Sequence, residues 1–173
     1  MIQNLLGSLA GTAAIGAILL VGPAPAEARE MVSFRDNAAA AGSIVIRTGE
    51  RRLYYVLGDG RAIRYPVGVG KPGKQWAGQT MIDGKYLHPA WSPPADVKHD
   101  KPNIPDVIPG GSPRNPMGVA AMTLNGGQYA IHGTNVPSSV GGFVSYGCIR
   151  MYNQDISDLF GRVSVGTPVI VTR

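Results

Sequence analysis

The sequence predicts a mainly-β single domain, a sandwich or barrel, with one short helix near its C-terminal end. Three observations carry this. Gly 24 and Pro 14 among 173 residues is heavy punctuation for a helical bundle and favours short strands joined by turns. Several segments pair β-branched or alternating apolar residues with strong turn signals. Only one segment has helical spacing. The length suits one domain, or one domain plus a targeting segment. Hydrophobic residues at 44% against charged residues at 16% exclude a disordered acidic or basic tail.

The elements follow in order. Residues 5–21 are apolar and uncharged, and Gly22-Pro23-Ala24-Pro25-Ala26-Glu27-Ala28 follows as a breaker with Ala-x-Ala. This reads as a secretory signal over residues 1–28, cleaved after Ala28, although no Lys or Arg precedes the run. Retained, the 17-residue run would be a marginal anchor. Residues 29–42 are Ala-rich without β-periodicity and read as a leader or tether, with the folded domain expected over 43–173. Residues 43–47 form a β-branched run. Residues 51–57 alternate, Gly58-Asp59-Gly60 turns the chain, and 61–69 return, which is a hairpin signature. A second hairpin reads as 119–124, the turn Asn125-Gly126-Gly127, then 128–131. Between the hairpins, residues 71–117 carry nine of the fourteen prolines together with Trp76 and Trp91. Proline removes backbone donors, so this stretch is expected to be a long irregular excursion, either a surface loop packed by its own aromatics or the wall of a substrate cleft. Residues 153–160 read as the helix, with Asn153 as cap, Ile156, Leu159 and Phe160 on one face, and Gly161 just past the end. Residues 163–172 read as closing strands interrupted by Gly166-Thr167-Pro168.

Lys+Arg 16 against Asp+Glu 11 gives +5, or +6 once Glu27 leaves with the signal. The charges are scattered, so they suit an anionic surface without indicating nucleic acid. A single cysteine excludes an internal disulfide and Cys-rich zinc modules. In an exported protein an idle free thiol is a liability, which raises the question of what Cys148 does.

The chemistry-bearing stretch is Ile131-His132-Gly133-Thr134 followed by Ser145-Tyr146-Gly147-Cys148-Ile149-Arg150-Met151. An ordinary thiol is only a few per cent thiolate at neutral pH. An imidazole within reach can take its proton and later return one to a leaving amine. A turn at Gly147 lets the amides of Tyr146, Gly147 and Cys148 face one point and hold an oxyanion. Arg150 is a candidate carboxylate clamp, and its charge would lower the thiol pKa. No Asp or Asn is marked out to orient the imidazole, and a backbone carbonyl would serve. Against this, a lone Cys is commonly a small buried hydrophobe, and residues 16 apart need not meet in space. His88, His99, His132 and Cys148 lack zinc-ligand spacing. Ser145 lacks the Gly-x-Ser-x-Gly elbow of a serine nucleophile. His88 and His99 read as exposed loop residues, and Trp76 and Trp91 as packing residues of the long loop.

Residues 131–151 closely resemble the active-site signature of the YkuD-type L,D-transpeptidases, the ErfK/YbiS/YcfS/YnhG family. Its parts stand here as His132-Gly133-Thr134, then Pro137, Gly141 and Gly142, then Ser145-Tyr146-Gly147-Cys148-Ile149-Arg150-Met151, then Asn153 and Asp155. Weaker likeness extends over residues 43–172, through Tyr65-Pro66-Val67-Gly68-Val69-Gly70, Pro89-Ala90-Trp91-Ser92-Pro93-Pro94, Asn115-Pro116-Met117-Gly118 and Gly166-Thr167-Pro168-Val169. There are two departures. Tyr146 stands where many members have histidine, and Gln75-Trp76-Ala77-Gly78 stands where members often have Thr-Pro-x-Gly.

The resemblance implies a β-sandwich-like catalytic domain with one short helix after the catalytic cysteine. It implies an exported, periplasmic enzyme of the cell envelope acting on peptidoglycan stem peptides. Cys148 would be the nucleophile and His132 the proton donor and acceptor. Backbone at Tyr146 and Gly147 would hold the oxyanion, and Gly133, Thr134, Ser145, Arg150 and Trp91 would line the substrate site. The acceptor would be a second stem, an outer-membrane protein, or water, the last giving L,D-carboxypeptidase activity. A wall-binding domain retaining the signature without catalysis is the further alternative. The family needs no metal or organic cofactor, and carbapenems acylate its cysteine. Neither nucleic acid nor a stable membrane span after signal cleavage is expected.

Overall fold

The computed structural model describes residues 29–36, 38–126 and 128–173, so the expected signal lies outside the described residues. Among the described residues eleven strands and two α-helices follow in order: β1 (Glu30–Ser33), β2 (Ile44–Arg47), β3 (Arg52–Gly58), β4 (Arg61–Pro66), β5 (Val69–Gly70), β6 (Gly78–Leu87), α1 (Ala95–Asp100), β7 (Ala120–Leu124), β8 (Ala130–His132), β9 (Phe143–Ser145), β10 (Ile149–Arg150), α2 (Asn153–Arg162) and β11 (Pro168–Thr172). Nine strands hydrogen-bond in the order β1-β4-β3-β2-β11-β6-β7-β8-β10, and β5 pairs with β9 apart from them.

The long β6 serves two ladders. Its first residues, Gly78 to Met81, pair with β11, and Ile82 to Leu87 pair with β7, with a register shift between Ile82 and Gly84. Such a shift bends a strand and lets one succession of strands wrap around the larger of two buried clusters. Ile44, Ile46, Leu53 and Tyr65 from one part meet Met122, Leu124, Ile131 and Ile149 from the other in one buried cluster. Helix α2 closes it with Ile156 and Leu159, both fully buried. Each such side chain contributes roughly 1.5–3 kcal/mol of hydrophobic stabilisation. Tyr65 ties the helix to the sheet by donating its hydroxyl to Asp158 at 2.6 Å.

The mainly-β fold and the two hairpins stand as the sequence predicts. Between β3 and β4, Asp59 and Gly60 both take positive φ, 51° and 69°, as a tight hairpin turn requires. Gly127 of the second turn lies outside the described residues.

Four expectations change. Residues 30–33 are not a tether but an edge strand, antiparallel to β4. Phe34 beyond it is buried and stacks on Tyr54 at 4.8 Å, under the Arg47 guanidinium. An exposed edge strand has little alternation for a sequence pattern to show. The proline-rich stretch is not irregular throughout. Its prolines spare 78–87, which is β6, and 95–100, which is α1, launched from Pro94 at the fixed φ of −60° that suits a helix start. There are therefore two helices among the described residues, with a single 3₁₀ turn at Pro137–Ser139. Asn153 is the first residue of α2 rather than its cap, and Gly161 lies within the helix. Finally, residues 163–167 are turn, and only β11 closes the fold, parallel to β2 and antiparallel to β6.

Candidate active site

Strand pairing brings the two expected catalytic residues together. His132 ends β8, and Cys148 immediately precedes β10. The two strands run parallel, with Ile149 opposite Ile131 and Arg150 opposite His132. Met151 N–H donates to His132 O at 2.8 Å and completes the ladder. The intervening residues leave the sheet, form β9 against β5, and return. His132, Cys148 and Arg150 then share a narrow cavity of about 60 Å³, walled also by Trp91, Val97 and Met117. Cys148 also lines a wider cavity of about 390 Å³ with Lys74, Asp96, Gln128 and Tyr129. Tyr146 borders both.

The imidazole is buried and held by a backbone carbonyl. Nδ1 lies 2.6 Å from Gly133 O. A carbonyl only accepts, so Nδ1 carries the proton and the free lone pair is on Nε2. Burial, followed by the positive charge of Arg150, lowers the His132 pKa to about 4, against the pull of the Gly133 and Pro116 carbonyls. Burial also pushes the Cys148 thiol up. The Ala130 amide and the Arg150 charge pull it down but do not prevail. The Arg150 effect expected from sequence is present and is outweighed by desolvation. The resting pair is therefore thiol and neutral imidazole, not an ion pair. Proton transfer would then accompany attack rather than precede it.

Loop 145–148 is pinned from several directions. Ser145 Oγ accepts the Gly147 N–H at 3.0 Å and donates to Cys148 O at 2.6 Å. Trp76 Nε1 donates to Gly147 O at 2.9 Å. Gly147 has φ +123°, and a Cβ there would come 2.2 Å from Tyr129 Cε1, so only glycine fits. Of the three amides expected to receive an oxyanion, Gly147's is spent on Ser145. Among the described residues the N–H groups of Tyr146 and Cys148 meet no acceptor.

The other expected site residues separate into two groups. Trp91, Ser145 and Arg150 line the narrow cavity, and the buried Nε of Arg150 has no acceptor among the described residues. Gly133 and Thr134 line neither cavity at the thiol. Thr134 N–H donates to Asn153 Oδ1 at 3.0 Å, and its Oγ1 accepts from Val136 N at 3.0 Å. Gly133 makes room for Asn153, whose Oδ1 would lie 2.3 Å from a Cβ. These residues brace the strand end that carries His132.

Sequence reasoning gave no role to several neighbours. Asn115 is buried, and its Nδ2 donates to Pro89 O at 2.8 Å and to Pro109 O at 3.0 Å, while its Oδ1 accepts from Met117 N at 2.9 Å. It thereby gathers the segment carrying Trp91. Helix α1 crosses over the thiol with no buried residue of its own. Charged contacts hold it: Tyr146 OH and Lys71 Nζ both donate to Asp100, the latter at 3.2 Å, and Lys74 pairs with Asp96. Lys71 Nζ also sits 3.9 Å above the Tyr146 ring. Tyr146 at the position where histidine is common thus fastens the strap formed by α1.

Residues 41–171 match the YkuD L,D-transpeptidase catalytic domain. The chain belongs to this family. It is 42% identical over 136 residues to the Escherichia coli K12 protein named as L,D-transpeptidase YbiS, covering 73% of this chain and 43% of that one. The chain thus spans less than half the length of that relative. Over 96% of its length it is 35% identical to a Fuscovulum blasticum protein named as an L,D-transpeptidase of the ATP synthase subunits region, covering 92% of that protein. The fold is shared with an L,D-transpeptidase from Mycobacterium smegmatis, with TM-score 0.60 and 20% identity over 75% of this chain and 58% of that one. It is shared also with the catalytic domain of the E. faecium L,D-transpeptidase, with TM-score 0.58 and 22% identity over 76% of this chain and 96% of that one.

Proposed function

We propose that the chain is an exported peptidoglycan L,D-transpeptidase with Cys148 as nucleophile. The observation that carries this is the parallel β8–β10 pairing. It sets a neutral imidazole and a thiol in one narrow cavity, and the Tyr146 and Cys148 N–H groups next to the thiol in the chain have no acceptor among the described residues. The stem peptide enters with the carbonyl of its third residue, a diamino acid, at the thiol. As Sγ bonds to that carbon, Nε2 of His132 takes the thiol proton. The amides of Tyr146 and Cys148 receive the oxyanion, and they are worth most in a cavity that excludes water. Collapse breaks the bond to the terminal D-alanine, whose amine takes the proton from His132. An amine of a second stem then attacks the thioester and loses its proton to His132, the C–S bond breaks, and His132 returns the proton to Sγ to free the thiol. Arg150, with its unused Nε, fits a substrate carboxylate.

The wider cavity that Cys148 also lines is where the acceptor would approach. A protein amine would give attachment of protein to the wall, and water would give carboxypeptidase activity. A purified disaccharide-tetrapeptide distinguishes these outcomes. A crosslinked dimer supports transpeptidation, and tripeptide alone supports hydrolysis. An intact substrate with folded protein, together with an inert thiol, supports a wall-binding domain. Carbapenems are expected to acylate Cys148, seen as a mass increment on that residue. The periplasmic location follows from the signal reading, and cell fractionation tests it.

A further inference from the structure

We infer that Trp76 is a positioning residue for acyl transfer, acting through the peptide that joins Gly147 to Cys148. This rests on the reading of Cys148 as nucleophile. Trp76 lines neither cavity that reaches the thiol. It borders a separate groove with Gln79, Asn125 and Gln128, so it does not touch the reacting atoms. Its Nε1 nevertheless donates to Gly147 O at 2.9 Å. That carbonyl and the Cys148 N–H belong to one planar trans peptide, in which they point to opposite sides. Fixing the carbonyl toward Trp76 therefore fixes the Cys148 N–H away from it, toward the cavity side where an oxyanion forms. A hydrogen bond accepted by the carbonyl also polarises the same peptide and strengthens its N–H as a donor.

The surroundings show why the indole in particular is suited to this. Tyr129 stacks on Trp76 at 4.9 Å with an interplanar angle of 8°, and it lies directly against Gly147. The aromatic pair thus packs against the peptide, with Tyr129 itself part of the wall of the wider cavity at the thiol. Ser145 holds the N–H of Gly147 and the carbonyl of Cys148. The carbonyl of Gly147 is left to Trp76 alone among the described residues. Without that bond the peptide can rotate about its flanking torsions, and a preorganised donor becomes one that must be reorganised during the reaction. A phenyl ring would lose the donor and part of the indole's packing against the core, whereas a benzothienyl ring would keep the shape and lose only the donor.

The test compares two reactions of the same thiol in the full chain. Acylation by a carbapenem opens the β-lactam: Sγ bonds to the carbonyl carbon, the C–N bond breaks, and the nitrogen receives a proton. This passes through an oxyanion. Alkylation by iodoacetamide displaces iodide at a saturated carbon and forms no oxyanion. For Trp76→Phe the acylation rate is expected to fall about tenfold, as for loss of one hydrogen bond. The alkylation rate and the unfolding midpoint should stay close to wild type. Replacing Trp76 by 3-benzothienylalanine, which keeps the indole shape with sulfur in place of N–H, should give the same split, and it serves if the phenyl variant folds poorly. Acylation at the wild-type rate, or both rates falling by one factor, overturns the inference. A wild type that takes up no carbapenem and turns over no tetrapeptide overturns the transpeptidase reading and this inference with it. A reactive wild type with an indifferent Trp76→Phe overturns the inference alone.

Discussion

Two segments close around Cys148, and they are held in opposite ways. The cysteine loop, residues 145–148, is fixed by short uncharged hydrogen bonds from Ser145 and Trp76 and by a ring laid against Gly147. The strap, α1, buries none of its own side chains and is fixed by Lys71, Lys74, Asp96, Asp100 and the Tyr146 hydroxyl. Uncharged buried bonds hold geometry whatever the ionic strength. Exposed ion pairs are weak, are screened by salt, and leave a segment able to open. Only Tyr146 belongs to both, its backbone in the loop and its hydroxyl on the strap.

The largest effect that would break this comparison is expected at Gly147. Gly147→Ala should slow acylation of Cys148 about a hundredfold, the scale of losing an oxyanion donor, because the new Cβ would meet Tyr129 and displace the peptide. Stopped-flow acylation measures it, and a rate near wild type would show that the loop tolerates movement.

Next comes the dependence on pH. His132 is buried with its pKa lowered to about 4, whereas the unfolded chain titrates it near its ordinary value of 6.5. Between these values the unfolded state binds one more proton. Stability is therefore full above pH 6.5 and is lost as pH falls to about 4, by roughly 3 kcal/mol in all. Urea unfolding across that window should show the slope, and His132→Gln should lack it.

Asn115 sharpens the comparison from the strap side, since it is the buried part of an otherwise charged segment. Asn115→Ala leaves the Pro89 and Pro109 carbonyls and the Met117 amide without their partner. A loss of about 2 kcal/mol is expected by chemical denaturation. The smallest effect belongs to Tyr146→Phe, which removes the hydroxyl bond to Asp100. The unfolding midpoint should hardly change. The acylation rate should vary with salt concentration in both proteins, because the Lys71–Asp100 and Lys74–Asp96 pairs remain, and at low salt the variant should be the faster. Equal rates at low salt would mean that the Tyr146 hydroxyl does not control entry.

What could be read from sequence divides along similar lines. The hairpins were legible because Gly58-Asp59-Gly60 and Asn125-Gly126 encode their turns locally. His132 and Cys148 were legible because their chemistry and family signature are compact in the chain. Strand β1 was not, because its pairing with β4 supplies what its own pattern lacks. Strand β6 was obscured by the prolines around it, and its burial alternates only in part. The supporting roles of Trp76, Asn115 and Asn153 depend on partners 71, 26 and 34 residues away, and no local pattern carries contacts of that range. The expectation of a thiol lowered by Arg150 named a real interaction, and the weight of burial against it appears only once the fold encloses the site.

The most direct test of the central claim is mass spectrometry of the products formed from a purified disaccharide-tetrapeptide, with Cys148→Ala alongside. The account predicts a crosslinked dimer lacking one alanine from the wild type and unchanged substrate from the variant. The same dimer from Cys148→Ala, or unchanged substrate from folded wild type, would contradict it.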